Sequence, residues 1–409
     1  MRKVSPVPPR SLRLLLAATL VVVLSAPLAL TQEATDDEKP APKGPGHMET
    51  PVPPPKTAPP PLEERETTAA ATVTRGNFTS VQVNVTADGQ NILDDAANEP
   101  SMAIDPTNPD NIVVGWRQFD SITSDFRQAG YAYSRDGGET WAFPGVLEPG
   151  QFRSDPVLEA DSAGVFYYYS LSTTTNAEMF ISYDKGETWD GPIPAQGGDK
   201  NWLEVDATLG GGDGFLYPIW NSQFTCCDPD TDYGRSIDGG QTYQGPWRSP
   251  DGLKPKWGTI EAGPEGEVYF TGANLSASSH VILRSDSLRD GANDAPVFEL
   301  SQELDLGGVT TTNGTPNPGG LMGQVWVDVD MSDGPTRGNV YVLGSVDPPG
   351  ADPLDVHVVR STDGGQTWSA PVRVNSDEPG SAWQWFGTLS VAPGGRLDLC
   401  HSPRRLDPA

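Results

Sequence analysis

An octapeptide written four times, a period near 50 residues and four strand-like runs per period predict an all-β chain. They predict a six-bladed β-propeller built of four-stranded antiparallel blades. The octapeptides read "SRDGGETW" (Ser134–Trp141), "SYDKGETW" (Ser182–Trp189), "SIDGGQTY" (Ser236–Tyr243) and "STDGGQTW" (Ser361–Trp368). Their aspartates, Asp136, Asp184, Asp238 and Asp363, are spaced by 48, 54 and 125 residues. The long gap holds a degraded copy at Leu283–Phe298, with Ser285 and Asp286 where Ser and Asp belong.

Each period repeats one order of strands. The first runs "PSMAID", "NIVVGW", "AGYAYS", octapeptide; the second "PVLEAD", "GVFYYYS", "EMFIS", octapeptide. The third runs "WLEVDA", "FLYPIW", "YGRS"; the fourth "WGTIEAG", "EVYFTG", "HVILRS"; the fifth "QVWVDVD", "NVYVLGS", "HVVRS". Three strands, a tight turn and a fourth strand make a meander, which is one blade. A sixth period begins with "GTLSVA" and "RLDLCH" and stops, so the last blade reads as incomplete and the domain as C-terminally truncated. The N-terminal strand "SVQVNV" (Ser80–Val85) is expected to complete that blade and close the ring, hiding its edges.

Three segments precede or make up the domain. In 1–31, Arg2, Lys3, Arg10 and Arg13 precede the 17-residue apolar run Leu14–Leu30. This pattern reads as a signal peptide or an uncleaved N-terminal anchor, and the short run broken by Pro27 favours the signal. The Pro-rich linker 32–76 lacks the apolar content for a core and is expected to be disordered. Residues 77–409 form the propeller. The expected location is extracytoplasmic: secreted, periplasmic or cell-surface.

Composition excludes several classes. With 55 acidic against 27 basic residues, the formal net charge of −28 repels phosphate backbones, so nucleic acid is not an expected partner. A membrane is expected only through an uncleaved N-terminal segment. Four His and three Cys exclude a zinc or histidine-based metal site. No cofactor is expected, although the acidity leaves room for calcium on carboxylates and loop carbonyls. The adjacent Cys226 and Cys227 could close a vicinal disulfide in an oxidising compartment.

The octapeptide itself reads as a fastener. Its Asp accepts backbone N–H groups, its Gly permits positive φ, and its Trp or Tyr packs between blades. On these motifs the chain resembles the sialidase superfamily, whose BNR or Asp-box repeats sit at the turn between the third and fourth strand of a blade. The resemblance covers about Asn77 to Ala409. It places the motif at the periphery and the ligand over the central funnel, where first strands begin.

The candidate site residues follow from that placement. Glu99 and Asp155 are the expected catalytic carboxylates. Arg117, Arg153, Lys200, Trp202, Lys256, Trp257 and Trp385 are the expected substrate contacts. Carboxylates suit proton transfer, cations an anionic group and aromatic faces a sugar ring. The resemblance further implies three Arg clamping a carboxylate, a Tyr nucleophile with a Glu, and an Asp acid/base. The chain lacks the "R-I-P" type motif that normally carries the first Arg. Arg235 precedes an octapeptide and so belongs to the wrong end. Two readings stay open: a sialidase-like exo-glycosidase acting on a glycan or glycoconjugate, and a non-catalytic carbohydrate- or protein-binding propeller on a Pro-rich stalk.

Overall fold

The computed structural model describes residues 49–56, 59–292, 296–311, 322–380 and 382–405. The apolar run 14–30 and the linker up to residue 48 lie outside the described residues. Among the described residues no helix is long and apolar enough to cross a membrane.

Alternating apolar residues produce six consecutive antiparallel sheets, each a meander in chain order. The first contains Ala96–Ile104, Ile112–Phe119, Arg127–Ser134 and Ala142–Leu147. The second contains Ser154–Ala160, Phe166–Leu171, Ala177–Ser182 and Asp190–Ala195. The third runs from Trp202–Val205 through Leu216–Ile219 and Tyr233–Arg235 to Gln244–Trp247. The fourth runs from Ile260–Ala262 through Val268–Asn274 and Ser279–Ser285 to Leu300–Leu304. The fifth comprises Val325–Val329, Val340–Val346, Asp355–Ser361 and Val372–Arg373. The sixth pairs Ala382–Val391 with Leu397–Arg405 and has two strands among the described residues.

Successive sheets stack face to face over apolar seams, the arrangement of propeller blades. The second strands are the most buried: every residue of Phe166–Leu171, Val268–Asn274 and Val340–Val346 is buried. Side chains in first strands, or just before one, also bind the backbone of the next sheet. Ser101 Oγ accepts Leu158 N–H at 2.9 Å, and Thr259 Oγ1 accepts Val327 N–H at 2.9 Å. Asp328 Oδ2 accepts Val391 N–H at 2.8 Å. Trp202 of the third sheet meets Trp326 of the fifth edge-to-face at 4.8 Å, so first strands converge past the sheet between them.

The octapeptides sit where the sequence puts them. In the first, the Ser134 hydroxyl donates to Asp136 Oδ1 (2.7 Å) and accepts Gly138 N–H (2.9 Å). Thr140 donates its N–H to Asp136 Oδ1 (2.9 Å) and its hydroxyl to Oδ2 (2.6 Å). The copies at Asp184, Asp238 and Asp363 repeat this network. The terminal aromatic wedges between sheets: Trp189 lies edge-on to Tyr131 of the preceding sheet at 5.8 Å. In the degraded copy Ser285 still caps the turn, but Asp286 pairs with Arg284 instead.

Two N-terminal expectations differ from the structure. The end of the expected linker carries structure: Leu62–Glu64 forms a 3-10 turn, and Thr67–Ala69 pairs with Gln90–Ile92. The segment expected to close the ring pairs locally instead, Phe78–Val81 against Thr72–Arg75 across a turn with Gly76 at φ +62°. A two-residue turn costs far less loop-closure entropy than pairing with the far end of the chain. The N-terminal segment covers the outer face of the first sheet with Leu62, Val83 and Ile92, which pack on Ile112, Val114 and Trp116.

Candidate functional site

A β-bulge recurs where first strands begin. Between Asn98 and Ser101, between Ser154 and Val157, and between Trp385 and Thr388, the first strand carries one residue more than its partner. The bulges contain Glu99 (φ +51°), Asp155 (φ +46°) and Phe386 (φ +49°). Lys200 (φ +57°) and Trp257 (φ +54°) hold the same conformation just before the third and fourth sheets. Left-handed backbone is uncommon outside glycine, and bulges re-aim side chains, so the strain is spent turning these five residues.

Three of them meet in a charged cluster with residues from the first sheet. Arg117, opposite Asn98 on the second strand, pairs with Glu99 Oε1 at 2.8 Å and donates to Asn98 Oδ1 at 2.8 Å. Lys200 donates its backbone N–H to Asp155 Oδ2 at 2.9 Å, with its ammonium 3.9 Å from the same oxygen. The Ser154 hydroxyl donates to Asp155 Oδ1 at 3.0 Å, and Asn201 Nδ2 to the Asp155 carbonyl at 3.1 Å.

The cluster contains residues the sequence reading passed over. Asp199, fully buried, accepts the Glu49 N–H at 3.3 Å. The Glu49 carboxylate pairs with Arg117 at 2.9 Å and with Arg127. Arg127 also stacks over Phe152 at 4.8 Å. The acid beside Lys200 in "GDKN" is a visible signal for Asp199. The equivalence of strand starts is one for Arg127. Glu49, in the Pro-rich stretch, has none.

The environments of the carboxylates differ. Burial works against the charge of Asp155, but Lys200 and Arg117 with the Lys200 N–H and the Ser154 hydroxyl hold its carboxyl below the usual range. Burial pushes Asp199 up to about 7 against Lys200, with Asp155 and Glu99 adding repulsion. Surrounding protein, and the Asp155 charge, push Glu99 up against Lys200 and Arg117. Its side chain keeps 39 % exposure, which limits that rise. An ionised carboxylate beside one favouring its proton is the division of labour of acid/base pairs.

The other expected contacts are placed apart. Arg153 is 3 % exposed and committed elsewhere: it pairs with Glu148 and, at 2.5 Å, with Glu178, and lies over Phe180 at 5.0 Å. Its place near the cluster is taken by Arg127. Trp202 packs on Trp326, and Trp385 stacks on Phe386 at 4.4 Å. Trp257 lines a shallow cleft with Lys200, Trp220 and Asn221, and its N–H donates to Asn221 Oδ1 at 3.3 Å. Lys256 donates to Gln223 Oε1 at 3.2 Å. Arg235 is buried among Gln244 and the carbonyls of Leu288 and Asp290.

Cys226 and Cys227 form a disulfide. Their loop braces the cluster: Cys226 N–H donates to the Gly197 carbonyl at 3.0 Å, and Asp199 N–H to the Phe224 carbonyl at 3.2 Å. Among the described residues no group of three or more His, Cys, Asp or Glu is placed to hold a metal ion, and the acidic runs at 210–214 and 227–232 are no exception.

The octapeptide networks identify the repeat. A profile described as BNR/Asp-box repeat matches residues 132–143 and 359–370, the first and last complete copies. The chain carries BNR/Asp-box repeats. No curated protein matches this BNR-repeat chain. Among solved structures it is similar to the intramolecular trans-sialidase of Ruminococcus gnavus, at 12 % identity and a TM-score of 0.49, over 76 % of this chain and 90 % of that one. It is similar to the leech intramolecular trans-sialidase at 12 % identity and a TM-score of 0.49, over 76 % and 65 %. It also resembles the α-L-arabinofuranosidase arb93a of Fusarium graminearum at 14 % identity and a TM-score of 0.44, over 76 % and 93 %.

Proposed function

We propose that this BNR-repeat protein is an exported propeller that acts on glycans bearing an anionic group, at the cluster of Glu99, Arg117, Arg127, Asp155, Asp199 and Lys200. The observation that supports it most is the meeting of two arginines, Arg117 and Arg127, on one carboxylate, with Arg117 also paired to Glu99 and Lys200 to Asp155 at the starts of neighbouring first strands. The arginines would take a sugar carboxylate through paired N–H donors. Asp155, ionised, would serve as base or charge stabiliser, and Glu99, half-exposed and nearest solvent, as the proton donor to a leaving oxygen. Trp257, at the edge of the adjoining cleft, offers an apolar face to the ring. The sixfold ring belongs to this reading.

One observation favours a binding module without turnover. Asp155 is held by the Lys200 N–H, the Ser154 hydroxyl and the Lys200 ammonium, a set that fixes a carboxylate in place as a structural ion pair. A glycan array together with fluorogenic glycosides, sialosides among them, separates the two. Turnover that disappears in Asp155→Asn supports the enzyme. Array signal with no turnover of any glycoside supports the module, and neither signal refutes both.

A further inference from the structure

Glu49 is out of keeping with its surroundings. It is 5 % exposed, while its neighbours Thr50–Lys56 are exposed apart from the half-buried Val52. It is the one acid of that stretch, "ETPVPPPK", and it lies 68 residues from Arg117 and 150 from Asp199 in sequence. Its two carboxylate oxygens are divided between two guanidiniums, Oε1 to Arg117 at 2.9 Å and Oε2 to Arg127, and its N–H reaches Asp199 at 3.3 Å. Among the described residues it is the one carboxylate within ion-pair distance of Arg127. The prolines at 51 and 53–55 keep the following stretch extended, so a single side chain is presented at little cost in chain entropy.

We propose that Glu49 is a built-in occupant of the cluster: the N-terminal segment seats a carboxylate between Arg117 and Arg127 and blocks external carboxylates until it leaves. The geometry is that of a ligand supplied in cis. The seat takes the Glu49 side chain and its own N–H, and Glu49 lies in no strand, so it can withdraw without unfolding a sheet. The competing ligand class, an acidic sugar, rests on the reading given above; the seating of Glu49 does not.

The test uses the full chain as wild type, Glu49→Ala and Glu49→Gln, titrated calorimetrically with the peptide ETPVPPPK acetylated at its N-terminus and amidated at its C-terminus. Titration runs to several millimolar, on the order of the effective concentration that a short tether provides. The peptide is expected to bind both variants and to bind wild type at least about tenfold more weakly, since the tethered copy competes. A peptide carrying Gln in place of its Glu is expected not to bind. Equal binding to wild type and variants, no binding to either variant, or equal binding of the Gln peptide would overturn the proposal. A parallel titration with glucuronate keeps the two claims apart. Peptide binding without glucuronate binding keeps the occupant and weakens the acidic-glycan reading. Glucuronate binding that is equal in all three chains keeps that reading and removes the occupant.

Discussion

Asp155 lies in the second sheet and Lys200 just before the third, yet Lys200 gives Asp155 both its backbone N–H at 2.9 Å and its ammonium at 3.9 Å. Both residues hold left-handed backbone. Asn tolerates that conformation and still accepts the N–H, so Asp155→Asn removes charge with little change of shape. Circular dichroism should match wild type, while melting should fall, because the charge that Lys200 and Arg117 favour is gone. If the chain turns over a glycoside, kcat should fall roughly 100-fold or more. Unchanged kcat would remove Asp155 from the chemistry.

The octapeptides should matter for stability and not for ligand. Asp238→Ala deletes the acceptor of the Ser236 hydroxyl, the Thr242 N–H and the Thr242 hydroxyl. A loss of roughly 1–2 kcal/mol by urea unfolding is expected, with unchanged ligand affinity. Acid acts on the same fasteners. The Thr367 hydroxyl and N–H hold Asp363 down to about 2, below its ordinary 3.8. A depressed carboxyl stabilises the fold above its unfolded value and loses that contribution as pH falls from about 4 through about 2. Melting temperature should drop across that window.

Asp232 predicts the opposite slope. It is fully buried, accepts the Ser249 N–H at 2.8 Å, and burial pushes it up to about 7. The folded chain therefore binds an extra proton between about pH 4 and 7, and stability falls as pH rises through that range. Asp232→Asn carries no charge to bury. Its stability relative to wild type should rise across the window and level off above pH 7, by roughly 2–4 kcal/mol. A constant difference between pH 5 and pH 8 in urea unfolding would contradict this.

The disulfide loop should tune the site. In the double variant Cys226→Ala, Cys227→Ala, hydrogen exchange at the Asp199 and Cys226 amides should quicken, because these N–H groups tie that loop to 197–199. Amides of the buried strand Phe166–Leu171 should not change. Uniform quickening would show that the disulfide serves the whole fold instead.

What the sequence made legible divides by distance along the chain. The fasteners could be read because Ser134, Asp136 and Thr140 complete one network within seven residues, and because the pattern recurs. The start of each first strand followed from the same period, which brought Glu99, Asp155 and Lys200 into view as one group. The period carries no information on which cation reaches inward. Arg153 precedes the second sheet at the expected position but turns to Glu148 and Glu178, while Arg127 from a third strand fills the gap. Glu49 was hidden for a related reason: nothing local distinguishes an acid in a Pro-rich stretch from a solvated one. The pairing of Phe78–Val81 with Thr72–Arg75 turns on Gly76, which lies outside the repeat, so the period carries no trace of it.

The central claim is that the Arg117–Arg127 cluster holds an anionic glycan. The most direct measurement is calorimetric titration of the full chain, as Glu49→Ala and as Glu49→Ala with Arg117→Ala, with the strongest acidic hit from a glycan array. Binding to the first is expected, with a loss of at least about tenfold in the second, the worth of one buried charge-assisted pair. Equal affinity in the two chains, or an array with no acidic glycan among its hits, would contradict it.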